Sequence, residues 1–199
     1  MEQEARRGPL ASGALRNLPN ALTGLRVLAV PVLVWLFLEG RMEAALWVFV
    51  AAQVTDALDG VLARALRAFT RFGAIFDPVA DKLLGLTALA LLTFTQRLPV
   101  WLLAAALFRD VCIASAAYIL ARTGRTVPTR PTRFGKYATF FLAATVLVAL
   151  IHAAHPETPL SRPAVFALAV VALQMLAVSW AQYLWWWIRL MREPAAGPA

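Results

Sequence analysis

The sequence has very little of the chemistry on which many enzymes depend, with one cysteine and two histidines in 199 residues. The single thiol, Cys112, cannot form a disulfide within the chain, and a metal site built from several cysteines is excluded. Charged residues make up only 15% of the chain, so the polar surface of a soluble domain is also missing. The remaining reactive groups are a few carboxylates and a larger number of basic side chains.

Apolar residues dominate instead, at 61% of the chain with a mean hydropathy of +0.68, against about 45–50% in soluble domains. A helix that crosses the hydrocarbon core needs about 20 mostly apolar residues. The sequence predicts an all-α polytopic membrane protein with one six-helix transmembrane domain over residues 17–192, a flexible juxtamembrane segment over 1–16 and a tail over 193–199. Asn20 is predicted to cap the first helix. The predicted spans are about 21–38, 43–64, 74–96, 99–121, 135–152 and 163–190.

The distribution of basic residues predicts the membrane topology. The net charge is +8, but lysine and arginine are scattered singly between the apolar segments, which is not typical of a nucleic-acid-binding face. Most of them lie before or at the start of the first span, between spans two and three, between spans four and five, and after the last span. The positive-inside rule then predicts that both termini are cytoplasmic. The same charges favour contact with anionic membrane lipids.

Acidic residues separate by type. Every glutamate is terminal or lies in a predicted outer loop, whereas every aspartate lies within or at the end of an apolar span. An ionisable group at membrane depth costs at least about 2.5–3.5 kcal/mol and indicates function. Two pairs share helix faces at i,i+3 and i,i+4 spacing, and the short link over 65–72 predicts a hairpin that gathers them at the cytoplasmic side. The pairs are Asp56 with Asp59 and Asp77 with Asp81.

Four neighbouring carboxylates repel one another unless positive charge compensates them. Arg64 and Lys82 supply two charges, and divalent cations can supply the rest. Hard carboxylate oxygens without nearby cysteine or histidine favour Mg²⁺ or Mn²⁺ over zinc. An interhelical Asp–Arg network without metal is the alternative.

Small residues accompany the aspartates. Gly60 and Ala63 follow the first pair on nearly the same stripe, and Gly73 precedes the second pair. Small residues commonly allow close helix packing, but three of them beside a metal cluster also leave space for a flat ligand. Arg64, one turn beyond Gly60, can hold a phosphate oxygen in a bidentate manner.

The segment from Asp56 to Asp81 resembles the signature of the CDP-alcohol phosphatidyltransferases at every defining position and interval. The segment Asn17–Thr23, with Arg26 and Pro31, is similar to the entrance of the polyglycerol-phospholipid branch of that family, and the likeness extends to about Thr145.

The resemblance implies a six-helix fold, a homodimer, two divalent ions per site, a CDP-diacylglycerol donor and release of CMP. It implies a location in the bacterial inner membrane with the active site facing the cytoplasm. Asp56, Asp59 and Asp77 would hold the metals, and Asp81 would complete their shell or act as the general base. The residues Gly60, Ala63, Arg64 and Gly73 would bind the nucleotide and its diphosphate.

The acceptor is predicted less directly. A basic pocket for an acceptor that carries phosphate would consist of Arg109, Arg130, Arg133 and Lys136. The pair Arg109-Asp110, with Ala117 where the glycerol-phosphate enzymes have a second arginine, resembles the cardiolipin synthases, so phosphatidylglycerol is the expected acceptor. Glycerol 3-phosphate is the alternative.

Two other classes of protein use intramembrane aspartates. A cation or proton transporter could do so, but it would not need the small residues and Arg64 beside them. Membrane prenyltransferases also have paired aspartates, although theirs lie far apart on a larger bundle. The sequence therefore favours the transferase.

Overall fold

The computed structural model describes residues 13–66, 71–122, 133–158 and 162–192. Its side chains are described at 24–55, 80, 82–119, 122, 133–158 and 162–189. Throughout these ranges the regular structure is helical. The elements are α1 (Gly13–Leu38), α2 (Met42–Leu66), α3 (Arg71–Phe94), α4 (Val100–Arg122), α5 (Arg133–Ala154) and α6 (Arg162–Arg192).

Two compact units divide the chain, Met1–Ala88 and Leu89–Ala199, with the boundary inside α3. In the first unit, α1 packs against α2 as a hairpin. Gly40 lies at the turn of this hairpin and has φ of +71°. Its N–H donates a hydrogen bond to the Phe37 carbonyl at 3.1 Å, and the N–H of Arg41 donates to the Leu36 carbonyl at 2.9 Å. This pattern is a Schellman motif, in which glycine adopts the left-handed conformation without a steric cost.

The same motif ends α3 in the second unit, although a glutamine occupies the left-handed position. Gln96 has φ of +58° and donates to the Thr93 carbonyl at 3.0 Å, while Arg97 donates to the Leu92 carbonyl at 2.8 Å. These bonds satisfy carbonyls that a helix end otherwise leaves without partners. The helix therefore ends sharply, and α4 begins within a few residues.

The core of the second unit is formed where α6 packs against α4 and α5. Small side chains line these contacts and are almost fully buried, so the helices approach closely. The Thr145 hydroxyl adds a polar link between α5 and α6, since it lies 2.7 Å from the Phe141 carbonyl of its own helix and 3.3 Å from the Leu168 carbonyl of α6. The small buried residues are Ala138, Ala149, Ala169 and Ala172.

Aromatic contacts show the relative direction of α4 and α6. Trp101 meets Phe166 near the start of both helices, with ring centroids 6.0 Å apart, and Phe108 meets Trp180 further along both, at 5.8 Å. The two helices therefore run parallel, and α5, which connects them in the sequence, packs against α6.

Three helices are long and apolar enough to cross a membrane by length and composition, over Val100–Ile119, Arg133–Ala154 and Arg162–Arg189. In the remaining described side chains the apolar stretches are shorter, at Gly24–Leu38, Met42–Thr55 and Lys82–Phe94. Large apolar side chains such as Leu28, Trp47 and Phe140 are more than half exposed. Exposed apolar helix surface of this kind is expected where lipid, not water, is the solvent.

Five of the six predicted spans agree with the helices to within three residues, but α1 begins eight residues before the first predicted span, and the prediction that Asn20 caps it is wrong. The helix begins at Gly13, so Pro19 and Asn20 lie inside it. A proline removes one backbone donor, and the helix-favouring residues Ala14, Leu15 and Arg16 before it extend the helix in spite of that loss. The domain bounds over 1–16, 17–192 and 193–199 remain a prediction.

The close packing of α6 predicts a sharp difference between two of its alanines. We expect Ala172→Leu, at a fully buried position, to lower the free energy of unfolding by about 1–3 kcal/mol, because the added atoms overfill the contact. Ala177→Leu, at an exposed position of the same helix, is the matched control and should have little effect. Thermal unfolding in detergent measures both, and equal losses would contradict this packing.

Candidate functional site

The first aspartate pair continues the buried stripe of α2. Ala45, Phe49 and Ala52 are buried and spaced four and three residues apart along the helix. Asp56 and Asp59 take the next two positions of the same spacing, within the same uninterrupted helix. The backbone register that buries the apolar half of α2 therefore assigns both aspartates to the same stripe.

The second pair has the same relation to α3. Leu84 and Ala88 are fully buried, and Asp81 and Asp77 precede Leu84 by three and seven residues. All four positions belong to one helical stripe. Both aspartate pairs thus extend stripes that are buried elsewhere along their helices.

The side chains of the signature itself lie outside the described side chains, so their predicted roles stay predictions. The donor chemistry nevertheless fits divalent ions, because the sequences of α2 and α3 contain aspartate oxygens and neither histidine nor cysteine. Lys82, predicted to compensate charge beside Asp81, is exposed on α3. The undescribed set is Asp56, Asp59, Gly60, Ala63, Arg64, Gly73, Asp77 and Asp81.

Arg26 is a residue whose importance the sequence analysis missed. It was interpreted as part of the family's entrance segment and as a topology charge, yet only 2% of it is exposed and all three guanidinium nitrogens are buried. Its neighbours Leu25 and Leu28 are 57% and 63% exposed. Spacing could have found it, since Arg26 lies seven and eleven residues before the buried Leu33 and Phe37 on one stripe of α1.

In the second unit, Arg109 pairs with its neighbour Asp110. The distance from Nη1 of the arginine to the Asp110 carboxylate is 3.0 Å, and the two side chains are 12% and 20% exposed. Arg109 also extends the buried stripe of Leu102 and Ala106. Its Nε is buried and has no hydrogen-bond partner among the residues described. One edge of the guanidinium is thus occupied by Asp110 while Nε retains hydrogen-bonding capacity.

The other predicted acceptor residues lie at or before the start of α5. Arg133 begins the helix and Lys136 follows within its first turn, and both are exposed. Gly135 between them is buried. Arg130 lies outside the described residues. The structure therefore describes two accessible cations at one helix end.

Ser179 of α6 is a second residue that the sequence analysis missed. The hydroxyls of Thr139 and Ser115 bond the carbonyl four residues back, at 3.1 and 2.7 Å, as is usual in apolar helices. The Ser179 hydroxyl is fully buried and has no partner in the described part of the chain, and neither has the buried Oε1 of Gln182 one turn later. The Phe108–Trp180 contact brings α4 and α6 together one residue from Arg109 and one residue from Ser179.

Comparison with known proteins identifies the class. The family profile of CDP-alcohol phosphatidyltransferases matches residues 16–187, and the chain belongs to this family. It is 40% identical over 146 residues to a CDP-diacylglycerol–glycerol-3-phosphate 3-phosphatidyltransferase of Pseudomonas fluorescens, covering 70% of this chain and 73% of the relative. It is 32% identical over 151 residues to the protein of that name in Bacillus subtilis, covering 68% and 77%.

A cardiolipin synthase (CMP-forming) of Streptomyces coelicolor is 36% identical over 132 residues, which cover 63% of this chain and 61% of that protein. Most of the similar relatives carry the glycerol-3-phosphate name. The prediction of phosphatidylglycerol as acceptor is therefore not confirmed, and the predicted alternative fits these relatives better.

Family membership confirms the predicted fold class and enzyme class. The chain is an all-α membrane enzyme that transfers phosphatidyl groups, and members of its family generally use divalent metal ions. The substrates of this family are CDP-diacylglycerol and an alcohol or lipid acceptor.

Proposed function

We propose that this chain transfers the phosphatidyl group of CDP-diacylglycerol to glycerol 3-phosphate, with release of CMP. The observation that carries the transfer reaction is the continuation of two buried helix stripes into the two aspartate pairs. The acceptor is supported by similarity to glycerol-3-phosphate transferases over more than two thirds of both chains.

In this proposal Asp56, Asp59, Asp77 and Asp81 hold two ions, Mg²⁺ or Mn²⁺. When bound, the ions neutralise charge on the diphosphate and make CMP a better leaving group. Arg64 binds diphosphate oxygens through its planar guanidinium. The positions of Gly60, Ala63 and Gly73 leave space for the nucleotide.

Asp81 accepts the proton of the acceptor hydroxyl while the hydroxyl oxygen attacks the phosphorus of the phosphatidyl group. The new phosphorus–oxygen bond forms while the bond to CMP breaks, and CMP leaves with the bridging oxygen. Most of the rate enhancement comes from alignment of the two substrates and from electrostatic stabilisation.

The acceptor's phosphate is proposed to bind Lys136 and Arg133 at the start of α5, Arg130 three residues before α5 in the sequence, and the partly buried Arg109 of α4. Arg109 Nε, Ser179 Oγ and Gln182 Oε1 offer hydrogen-bonding groups to the acceptor's polar atoms. The remaining proposals are a homodimer in the bacterial inner membrane, cytoplasmic termini and a cytoplasm-facing site. They are supported by the family resemblance and the distribution of basic residues.

A second candidate function is cardiolipin synthesis, with phosphatidylglycerol as the acceptor. It is favoured by the Arg109–Asp110 ion pair at 3.0 Å in α4, together with Ala117 in place of a second arginine. The likeness to the Streptomyces coelicolor cardiolipin synthase adds support.

The two candidates predict different lipid products. Purified protein with CDP-diacylglycerol and Mg²⁺ or Mn²⁺ should release CMP and form phosphatidylglycerophosphate when glycerol 3-phosphate is added. Thin-layer chromatography of parallel reactions with phosphatidylglycerol and inositol phosphate provides the comparison. Cardiolipin formed from phosphatidylglycerol, with no product from glycerol 3-phosphate, would transfer the assignment to the second candidate.

The proposed catalytic role of the second aspartate pair predicts a large loss of activity. Asp77→Asn and Asp81→Asn should each reduce CMP release by on the order of 10²–10³-fold or more, because each removes a charge that acts on the reacting groups. Glu43→Gln, at an exposed acid in the first turn of α2, is the control and should retain activity. Full CMP release by both aspartate variants would eliminate the proposed site.

The proposed phosphate contact of Lys136 predicts a defect in acceptor binding. Lys136→Gln should raise KM for glycerol 3-phosphate about tenfold and leave KM for CDP-diacylglycerol nearly unchanged, because one charged hydrogen bond of about 1.5 kcal/mol is lost. Arg97→Gln removes an exposed charge just beyond α3 and serves as the control. An unchanged acceptor KM in the Lys136 variant would show that this cation does not bind acceptor.

A further inference from the structure

Arg26 is a buried charge that the proposed reaction does not use. Its guanidinium is removed from solvent, whereas the flanking Leu25 and Leu28 are exposed on the outside of α1. A buried ion is strongly unfavourable unless an ion of opposite sign and good hydrogen-bonding geometry compensates it. A group that compensates the guanidinium is therefore expected close to Arg26, and α2 is the helix that packs against α1 in this unit.

The register of the α1–α2 hairpin shows which acidic positions of α2 lie near the level of Arg26. Arg26 lies as far before the Gly40 turn as Val54 lies after it, so the two are level where the antiparallel helices pack together. Asp56 follows Val54 by two residues, about 3 Å along the axis at ~1.5 Å per residue. Asp59 is about 7.5 Å beyond Val54 by the same measure.

The stripes agree with this register. Arg26 continues the buried stripe of Leu33 and Phe37 in α1, and Asp56 continues that of Phe49 and Ala52 in α2. The described acids of this unit, Glu39 and Glu43, lie far from Arg26, because both are at the turn end of the hairpin, where they are exposed. That end is about 20 Å from Arg26 along α1.

We propose that Arg26 is a positioning residue whose guanidinium pairs with Asp56 across the hairpin. The pair fixes the orientation of this carboxylate and supplies a permanent positive charge beside the aspartate pairs. The pairing itself needs no metal. Its catalytic consequence, correct presentation of Asp56 to a divalent ion, rests on the function proposed above.

A double-mutant cycle in thermal unfolding tests the pair directly. The Tm of the protein is measured in detergent with EDTA. The effect of Arg26→Gln on Tm is compared in three backgrounds, namely wild type, Asp56→Asn and Asp59→Asn. In wild type, Arg26→Gln should lower Tm by about 6 °C or more, because it leaves a buried carboxylate without its partner. In the Asp56→Asn background this decrease should be less than half as large, whereas with Asp59→Asn it should be largely retained.

Two outcomes would overturn the pairing. An equal decrease in all three backgrounds would make Arg26 a packing residue, and an equal reduction by both aspartate variants would make it a general counter-charge without a specific partner. Arg41→Gln is the control, since its side chain is 57% exposed at the hairpin turn, and its effect should be close to zero. If Arg26→Gln yields no folded protein, Arg26→Lys replaces it in the same cycle.

A second measurement connects the pair to metal binding. Because Arg26 orients Asp56 for a divalent ion, the rise in Tm on adding Mn²⁺ should be smaller for Arg26→Gln than for wild type. A purely structural role would leave this rise unchanged, and an unchanged or larger rise would contradict the inference. The EDTA cycle uses no metal, donor or acceptor, so failure of the pairing is distinct from failure of the CMP-release assay that tests the proposed function.

Discussion

The free energy of placing charge inside an apolar helical protein is the constraint on which the other features depend. Each ion at membrane depth must be compensated by a partner, because neither lipid nor packed side chains can solvate it. The chain follows this rule at Arg109 and Asp110, which pair at 3.0 Å on one helix. The same rule, applied to four aspartates and to the buried Arg26, is the basis of the metal ions and the interhelical ion pair proposed above.

In the proposed reaction, compensation of this kind would give the enzyme a site that is electrostatically arranged before substrate arrives. Carboxylates held on the stripes of rigid helices have little freedom to reorganise when a diphosphate binds. Fixed charges that need no rearrangement during the reaction are among the largest contributions to enzymatic rate enhancement. In that proposal the helices α2 and α3 serve both as scaffold and as the carrier of the reacting groups.

Much of this organisation is visible in the sequence. The apolar segments and the spacing of the aspartates led to six helices and to the family. The polyglycerol-like entrance was expected to start a helix at Asn20, whereas α1 begins seven residues earlier, at Gly13, and continues through Pro19. The acceptor could not be derived from Arg109 and Asp110, because adjacent opposite charges serve equally well as a structural ion pair and as part of a binding pocket.

Arg26 and Ser179 do not stand out in the sequence for a different reason. Their significance depends on burial, which composition alone does not give. A basic residue near a helix end is most often a topology determinant, and a serine in an apolar helix most often bonds its own backbone. Only the stripe to which each belongs, and the solvent exposure of its neighbours, separates these two residues from the common cases.

The stripe shared by Ala45, Phe49, Ala52, Asp56 and Asp59 also limits how such a chain can evolve. One residue inserted between Ala52 and Asp56 would turn everything beyond it by about 100° about the helix axis. The two aspartate positions would then leave the buried stripe, although every amino acid of the signature would still be present. Selection on this segment therefore acts on its length as strictly as on its composition, and substitutions at lipid-facing positions should accumulate far more readily than insertions or deletions.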